Sequence, residues 1–227
     1  TKKRLLIYFL NITCTTLKKY DGTGEKWKSS IDKLTELNIT QTKDDDAILF
    51  IGSSSIRMWK SIEQDIRPYK SIRRGYGGAR YTDLIHFTEQ LVEPHNVKAV
   101  AIFVANDITG TKNDLKPKEV LRLVKYIVKS IRKTHINKPI FFIETTPTSS
   151  RWKVWNQISY ANDLISNFCS NNESLFFIST REFFIASNEK PIDDYFVSDR
   201  LHLNEKGYSV WGEIIRASFD KNLNTKI

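Results

Sequence analysis

Four short polar segments in this chain carry side chains able to do chemistry together. They are Gly52-Ser53-Ser54-Ser55, Gly75-Tyr76-Gly77-Gly78, Asn106-Asp107 and Asp199-Arg200-Leu201-His202. Serine, histidine and aspartate are the parts of a hydroxyl nucleophile with its base and its orienting carboxylate. Backbone amides at a glycine-rich turn and an Asn side chain are donors suited to an oxyanion. A serine hydroxyl is a weak nucleophile at neutral pH, so it needs an imidazole to take its proton, and the imidazole needs a carboxylate on its other nitrogen. An Asp and a His three residues apart lie about one turn apart on one loop, close enough for that bond to form locally.

Each segment also has a plainer reading. A Gly-Ser-Ser-Ser turn serves as a helix N-cap, Asn-Asp after a strand is an ordinary turn, and Asp-x-x-His suits a cap with a surface histidine or a pair of metal ligands. The metal reading finds no support in His86, His95 or His135, which show no HxH or HExxH spacing. Gly75-Tyr76-Gly77-Gly78 lacks the Lys-Ser/Thr of a phosphate loop, which argues against nucleotide binding. No metal and no organic cofactor is expected.

The elements that must hold these segments follow from periodicity. Apolar β-type runs at residues 47–51, 69–73, 97–104, 139–144 and 175–178 alternate with amphipathic helical patterns. That alternation predicts an α/β fold, a three-layer α/β/α sandwich with a parallel sheet of about five strands. Helices are expected from Pro117, where Val120, Leu123, Val124, Ile127 and Ile131 recur at helical spacing, around Trp155 to Phe168, and after Asn204. In such a sheet ligands bind beyond the carboxyl ends of the strands, and the polar segments fall there or just before the last helix. Trp27, Ile31, Leu34 and Leu37 outline a further helix in an N-terminal appendage, residues 1–46, ahead of a core domain at 47–227.

Composition bounds the partners. The 227 residues are 40% hydrophobic and 12% aromatic, too apolar for a disordered chain. The net charge of +9 is spread along helical faces (Lys116, Lys118, Arg122, Lys125, Lys129, Arg132, Lys133) with no aromatic-interleaved stripe, so it reads as a solvated surface and no nucleic acid partner is expected. Cys14 and Cys169 are too few for a disulfide scaffold. Lys2-Lys3-Arg4 followed by Leu5-Leu6-Ile7-Tyr8-Phe9-Leu10 has the order of an export signal and is short for a membrane span. An exported protein carrying a signal remnant is favoured over an ordered N-terminal strand or helix, and no membrane span is expected.

Over residues 48–211 these segments resemble the SGNH or GDSL-type serine hydrolases. The first block of that family, Gly-Asp-Ser, is similar to Gly52-Ser53-Ser54 in the context Leu-Phe-Ile-Gly-Ser-Ser-Ser-Ile-Arg-Met-Trp, which implies Ser54 as nucleophile. By the same resemblance His202 is the general base and Asp199 its orienting carboxylate. The backbone amides of Ser54 and Gly78, with the Asn106 side chain, form the oxyanion hole. The run Leu203-Asn204-Glu205-Lys206-Gly207-Tyr208 is also typical. The resemblance implies a serine esterase or acylhydrolase that cleaves short-chain carboxylic esters through an acyl-serine, O-acetyl groups on carbohydrates among them. The alternative is a non-catalytic carbohydrate- or lipid-binding domain on the same fold.

Ser53 stands where Asp is usual, Arg73 where Asn often precedes Arg-Gly, and Val104 and Arg200 where glycines are common. The last two are expected to add bulk beside the site. Arg57, Arg73, Arg80, Arg151, Trp59, Tyr76 and Trp152 are expected around it, offering aromatic faces and polar donors to a sugar or other small polar alcohol. Connections are too short for a long mobile lid. The oligomeric state and the acyl and alcohol identities stay open.

Overall fold

The computed structural model describes residues 18–41 and 44–223. The stretch at residues 2–10 read as an export-signal remnant lies outside them, as does Cys14. Five parallel strands, β1 (Ile48–Gly52), β2 (Ser71–Gly75), β3 (Ala99–Phe103), β4 (Ile140–Ile143) and β5 (Leu175–Ile178), form one sheet in the order β2-β1-β3-β4-β5. This is the expected three-layer α/β/α architecture. Every strand begins and ends within two residues of its expected run, with β3 and β4 shorter than expected at both ends.

Every residue of β1, β3 and β4 is buried, as strands covered on both faces must be. Alternation then sorts their side chains. Leu49, Ile51, Val100, Ile102, Ile140 and Phe142 enter one core with helices α4 (Tyr81–Val92), α5 (Pro117–Ile131) and α6 (Trp155–Ser170). Ile48, Phe50, Ala99, Ala101, Phe103, Phe141 and Ile143 enter the other, with α2 (Ser54–Met58), α3 (Ile62–Asp65), α7 (Arg181–Phe184) and α8 (Glu205–Leu223). Burying one such Phe or Ile stabilises the fold by roughly 1.5–3 kcal/mol.

Helix α4 had no counterpart among the expected helices. It begins after Arg80, a poor cap, and its N-terminus is satisfied by Asp83, whose carboxylate accepts the Arg80 amide at 3.0 Å. Leu84, Ile85, Leu91 and Val92 supply the buried face.

Ahead of the sheet, α1 (Lys28–Thr40) buries Ile31 completely and packs against α4. Its Asn38 Oδ1 accepts from Arg74 Nε and Nη2 at 3.1 and 2.6 Å, so the guanidinium of the 1% exposed Arg74 on β2 is hydrogen-bonded rather than stranded. Among the described residues no helix is long and apolar enough to cross a membrane.

Candidate active site

Two close approaches at the carboxyl end of the sheet set the Gly52-Ser53-Ser54 segment. Gly52 ends β1 with φ +132°, and a Cβ there would lie 1.9 Å from the Phe103 carbonyl oxygen, so only glycine fits. The next amide, Ser53, donates to that same oxygen at 2.9 Å, and the Ser53 carbonyl accepts from Ile56 and Arg57 to start α2. Ser54 is therefore the first helical residue. Its amide has no acceptor among the described residues, as expected for the first turn of a helix.

The histidine loop is tied by its own carboxylate. Asp199 Oδ1 accepts the Leu201 and His202 amides at 2.8 and 2.9 Å, and Oδ2 accepts from His202 Nδ1 at 2.6 Å. Burial pushes the Asp199 carboxyl up, but the bonds from the His202 side chain and backbone outweigh it and hold the group below the ordinary carboxylate range. An ionised carboxylate only accepts, so it places the imidazole proton on Nδ1 and leaves a lone pair on Nε2. That nitrogen lies 2.9 Å from Ser54 Oγ, the geometry in which the serine hydroxyl donates to it.

The run after His202 locks this loop to the serine helix. Asn204 Oδ1 accepts the Gly207 amide at 3.0 Å and so caps α8, while Asn204 Nδ2 donates to the Asp194 carbonyl. A Cβ on Gly207 would meet the Tyr195 carbonyl oxygen at 2.1 Å. Tyr208 donates its hydroxyl to the Ser55 carbonyl at 2.9 Å and stacks on Trp59. The Leu-Asn-x-x-Gly-Tyr pattern thus has a physical reason at each of its polar positions.

Asn106 follows β3. Its Nδ2 donates to the Ala79 carbonyl at 2.9 Å and its Oδ1 accepts from Arg151 Nη2 at 2.7 Å. Ser54, Asn106, Thr148, Arg151 and His202 wall a cavity of about 30 Å³, floored by Phe103 and Trp211. The structure thus brings together Ser54, Asp199, His202 and Asn106. Gly78 sits in the adjoining turn with φ +71°, outside the residues that wall the cavity. It is linked to the site through the Asn106 bond to its neighbour Ala79.

Several expected neighbours of the site lie elsewhere. Trp59 and Tyr76 are core side chains, 0% and 1% exposed. Arg73 Nη1 donates to the Trp59 carbonyl at 2.6 Å, and Arg80 Nη2 donates to the Asn113 carbonyl at 2.8 Å. Of the four arginines named from the sequence, only Arg151 lines the cavity. Trp152 stacks on Trp155 with ring centroids 5.7 Å apart. Val104 lines a neighbouring cavity beside α6 instead. Arg200 turns outward in a left-handed conformation, φ +54°, and pairs with Asp193. Neither of the last two adds bulk to the cavity.

Two carboxylates, to neither of which the sequence assigned a role, support the turn at Gly78. Asp83 accepts from the Tyr76 hydroxyl at 2.7 Å and from Trp27 Nε1 at 2.9 Å. Asp107 accepts the Tyr81 amide at 3.0 Å. Together they pin both ends of the Gly78 turn. The Asp-at-N3 pattern of Arg80-Tyr81-Thr82-Asp83 was the signal available for the first.

No protein-family model matches the chain, and no curated protein matches it. Solved structures share its fold. A candidate platelet activating factor from Streptococcus pneumonia superposes with a TM-score of 0.74 at 19% identity, covering 90% of this chain and 98% of that one. A candidate acylhydrolase from Bacteroides fragilis gives 0.72 at 19% identity, with 85% and 97% covered. A carbohydrate esterase family 3 protein from Talaromyces cellulolyticus gives 0.63 at 12% identity, with 80% and 100% covered. The fold is that of the SGNH or GDSL-type hydrolases.

Proposed function

We propose that this protein is a serine esterase that cleaves short-chain carboxylic esters through an acyl-serine intermediate. The observation that carries the reading is the relay from Ser54 Oγ to His202 Nε2 at 2.9 Å and from His202 Nδ1 to Asp199 Oδ2 at 2.6 Å. Ser54 Oγ attacks the ester carbonyl while His202 Nε2 takes its proton. The resulting imidazolium, stabilised by Asp199, returns that proton to the leaving alcohol. Water then attacks the acyl-serine by the same route, giving the carboxylic acid and free Ser54.

The tetrahedral oxyanion is held by the free amide of Ser54, the amide of Gly78 and the second N–H of Asn106 Nδ2, each such donor contributing about 3 kcal/mol to transition-state stabilisation. A cavity of about 30 Å³ offers room for about two water-sized groups, in keeping with a short acyl chain. Its Thr148, Arg151 and Asn106 wall, together with the likeness to a carbohydrate esterase, supports a water-soluble polar ester, with O-acetyl groups on carbohydrates as the class to try first.

A fluorophosphonate probe tests the chemistry. It should label wild-type protein at Ser54 and leave Ser54→Ala unlabelled. An unlabelled wild type that releases no acid from any short ester would make this a non-catalytic binding domain instead.

A further inference from the structure

Arg151 belongs to the 3₁₀ turn Ser149–Val154 after β4, and its guanidinium reaches back across the site. Nη1 donates to the Ala105 carbonyl and Nη2 to Asn106 Oδ1 at 2.7 Å. The fork thus grips the backbone just ahead of Asn106 and the Asn106 side chain together, a pairing that a planar guanidinium makes and an ammonium does not. Burial draws its pKa down, and the charges of Asp114 and Asp107 only partly offset that. Neither lies within ion-pair distance of it. The Asp114 oxygens are taken by Thr109, Gly110 and Thr111, and those of Asp107 by the Tyr81 amide. A poorly solvated cation without a carboxylate partner is costly, which asks what anion it faces.

We propose that Arg151 is a positioning residue for the oxyanion hole, acting through Asn106. The inference rests on the esterase reading above. With Oδ1 held by Arg151 and one Nδ2 hydrogen held by the Ala79 carbonyl, the amide has a single orientation, and its remaining hydrogen is the one left for the cavity. A flipped amide would set Oδ1 against the Ala79 oxygen and Nδ2 against the guanidinium, repulsive on both sides. The cation on Oδ1 also draws electron density from the amide, making the remaining N–H a stronger donor. Its charge is of the sign that a tetrahedral oxyanion needs and a neutral ester does not. The benefit therefore falls on the transition state.

A double-mutant cycle separates this from a structural role. Arg151→Ala should lower kcat by about ten- to a hundredfold, by analogy with the loss of a side chain that orients a metal ligand, with KM changed less than about threefold. Added to Asn106→Ala, it should cost nothing further beyond about twofold, because its route to the oxyanion is already gone. Guanidinium ion in the assay should partly restore Arg151→Ala and leave Asn106→Ala/Arg151→Ala unchanged. If Arg151→Ala proves unfolded by circular dichroism, Arg151→Lys enters the same cycle. Unchanged kcat in a folded Arg151 variant, or penalties that multiply in the double variant, overturns the proposal and leaves the esterase reading standing. A wild type that neither labels with fluorophosphonate nor turns over overturns both.

Discussion

The Trp27 indole lies across the turn at Gly78, so close that a Cβ on Gly78 would meet its ring at 3.2 Å. The same indole donates to Asp83, which holds the Arg80 amide. A side chain ahead of the sheet thus backs the turn whose amide is proposed as an oxyanion donor. Gly78→Ala has two costs, a left-handed φ worth about 1–2 kcal/mol and contact with the ring. It should lower kcat at least about tenfold. Gly78→Ala/Trp27→Ala should recover only part of that loss, since removing the ring leaves the backbone strain. Full recovery would show that φ at Gly78 is unimportant.

The nucleophile assignment predicts unequal serines. Ser54→Ala should lower kcat at least about 10³-fold. Ser53→Ala and Ser55→Ala should keep measurable turnover, because only Ser54 Oγ reaches His202. An inactive Ser55→Ala beside an active Ser54→Ala would put the register off by one.

Asp199→Asn isolates the tautomer. An Asn can still accept the Leu201 and His202 amides on its oxygen, but its NH2 then faces His202 Nδ1 and drives the ring proton to Nε2. The imidazole can no longer accept from Ser54, so kcat should fall by about 10²- to 10⁴-fold while circular dichroism stays that of wild type. Activity within tenfold of wild type, a margin set well inside about 10², would mean that Asp199 only ties the loop.

How much of this was readable in the chain depends on sequence separation. The strands were legible because buried parallel strands are continuous apolar runs, and the Asp199 to His202 bond because it spans three residues. The Ser54 to His202 contact joins residues 148 apart, and only the family resemblance paired them. Trp59 and Tyr76 stand beside polar motifs yet point into the core, since a linear sequence does not record which face of a turn is covered. Arg151 was visible as one arginine among several. Its reach to Asn106, 45 residues away, is a product of strand order β3-β4, which brings the two segments side by side. Helix α4 hid because its cap is the carboxylate of Asp83 at its third position rather than a side chain at the boundary.

Asp107 predicts how stability varies with pH. Burial pushes its carboxyl up to about 7, against the bond from the Tyr81 amide and the charge of Arg80. A carboxyl with a folded-state pKa above its unfolded value of about 3.9 binds its proton more tightly in the folded protein. Its contribution is fully present below about pH 4 and is lost as pH rises through about 7. Asp107→Asn cannot ionise, so the drop in urea midpoint between about pH 5 and about pH 8 should be smaller in the variant than in wild type. Equal drops would show that Asp107 does not titrate across that range.

On the esterase reading, the wall of the cavity is expected to limit acyl length. Phe103 and Trp211 close its floor, 4% and 0% exposed, and both belong to the packed core under the sheet. Lengthening the cavity would mean displacing aromatic rings that contact one another edge to face at 5.0 Å, and close-packed interiors do not yield by that much at small cost. With about 30 Å³ available, p-nitrophenyl acetate, propionate and butyrate should be turned over, and kcat/KM should fall by at least about tenfold from butyrate to octanoate, roughly 1.4 kcal/mol of lost transition-state binding. Trp211→Phe removes part of the floor and should narrow that gap by improving the longer ester. Faster turnover of long-chain esters in wild type, or a rate that jumps above the critical micelle concentration of the substrate, would place the acyl chain outside this cavity, on the open side of His202.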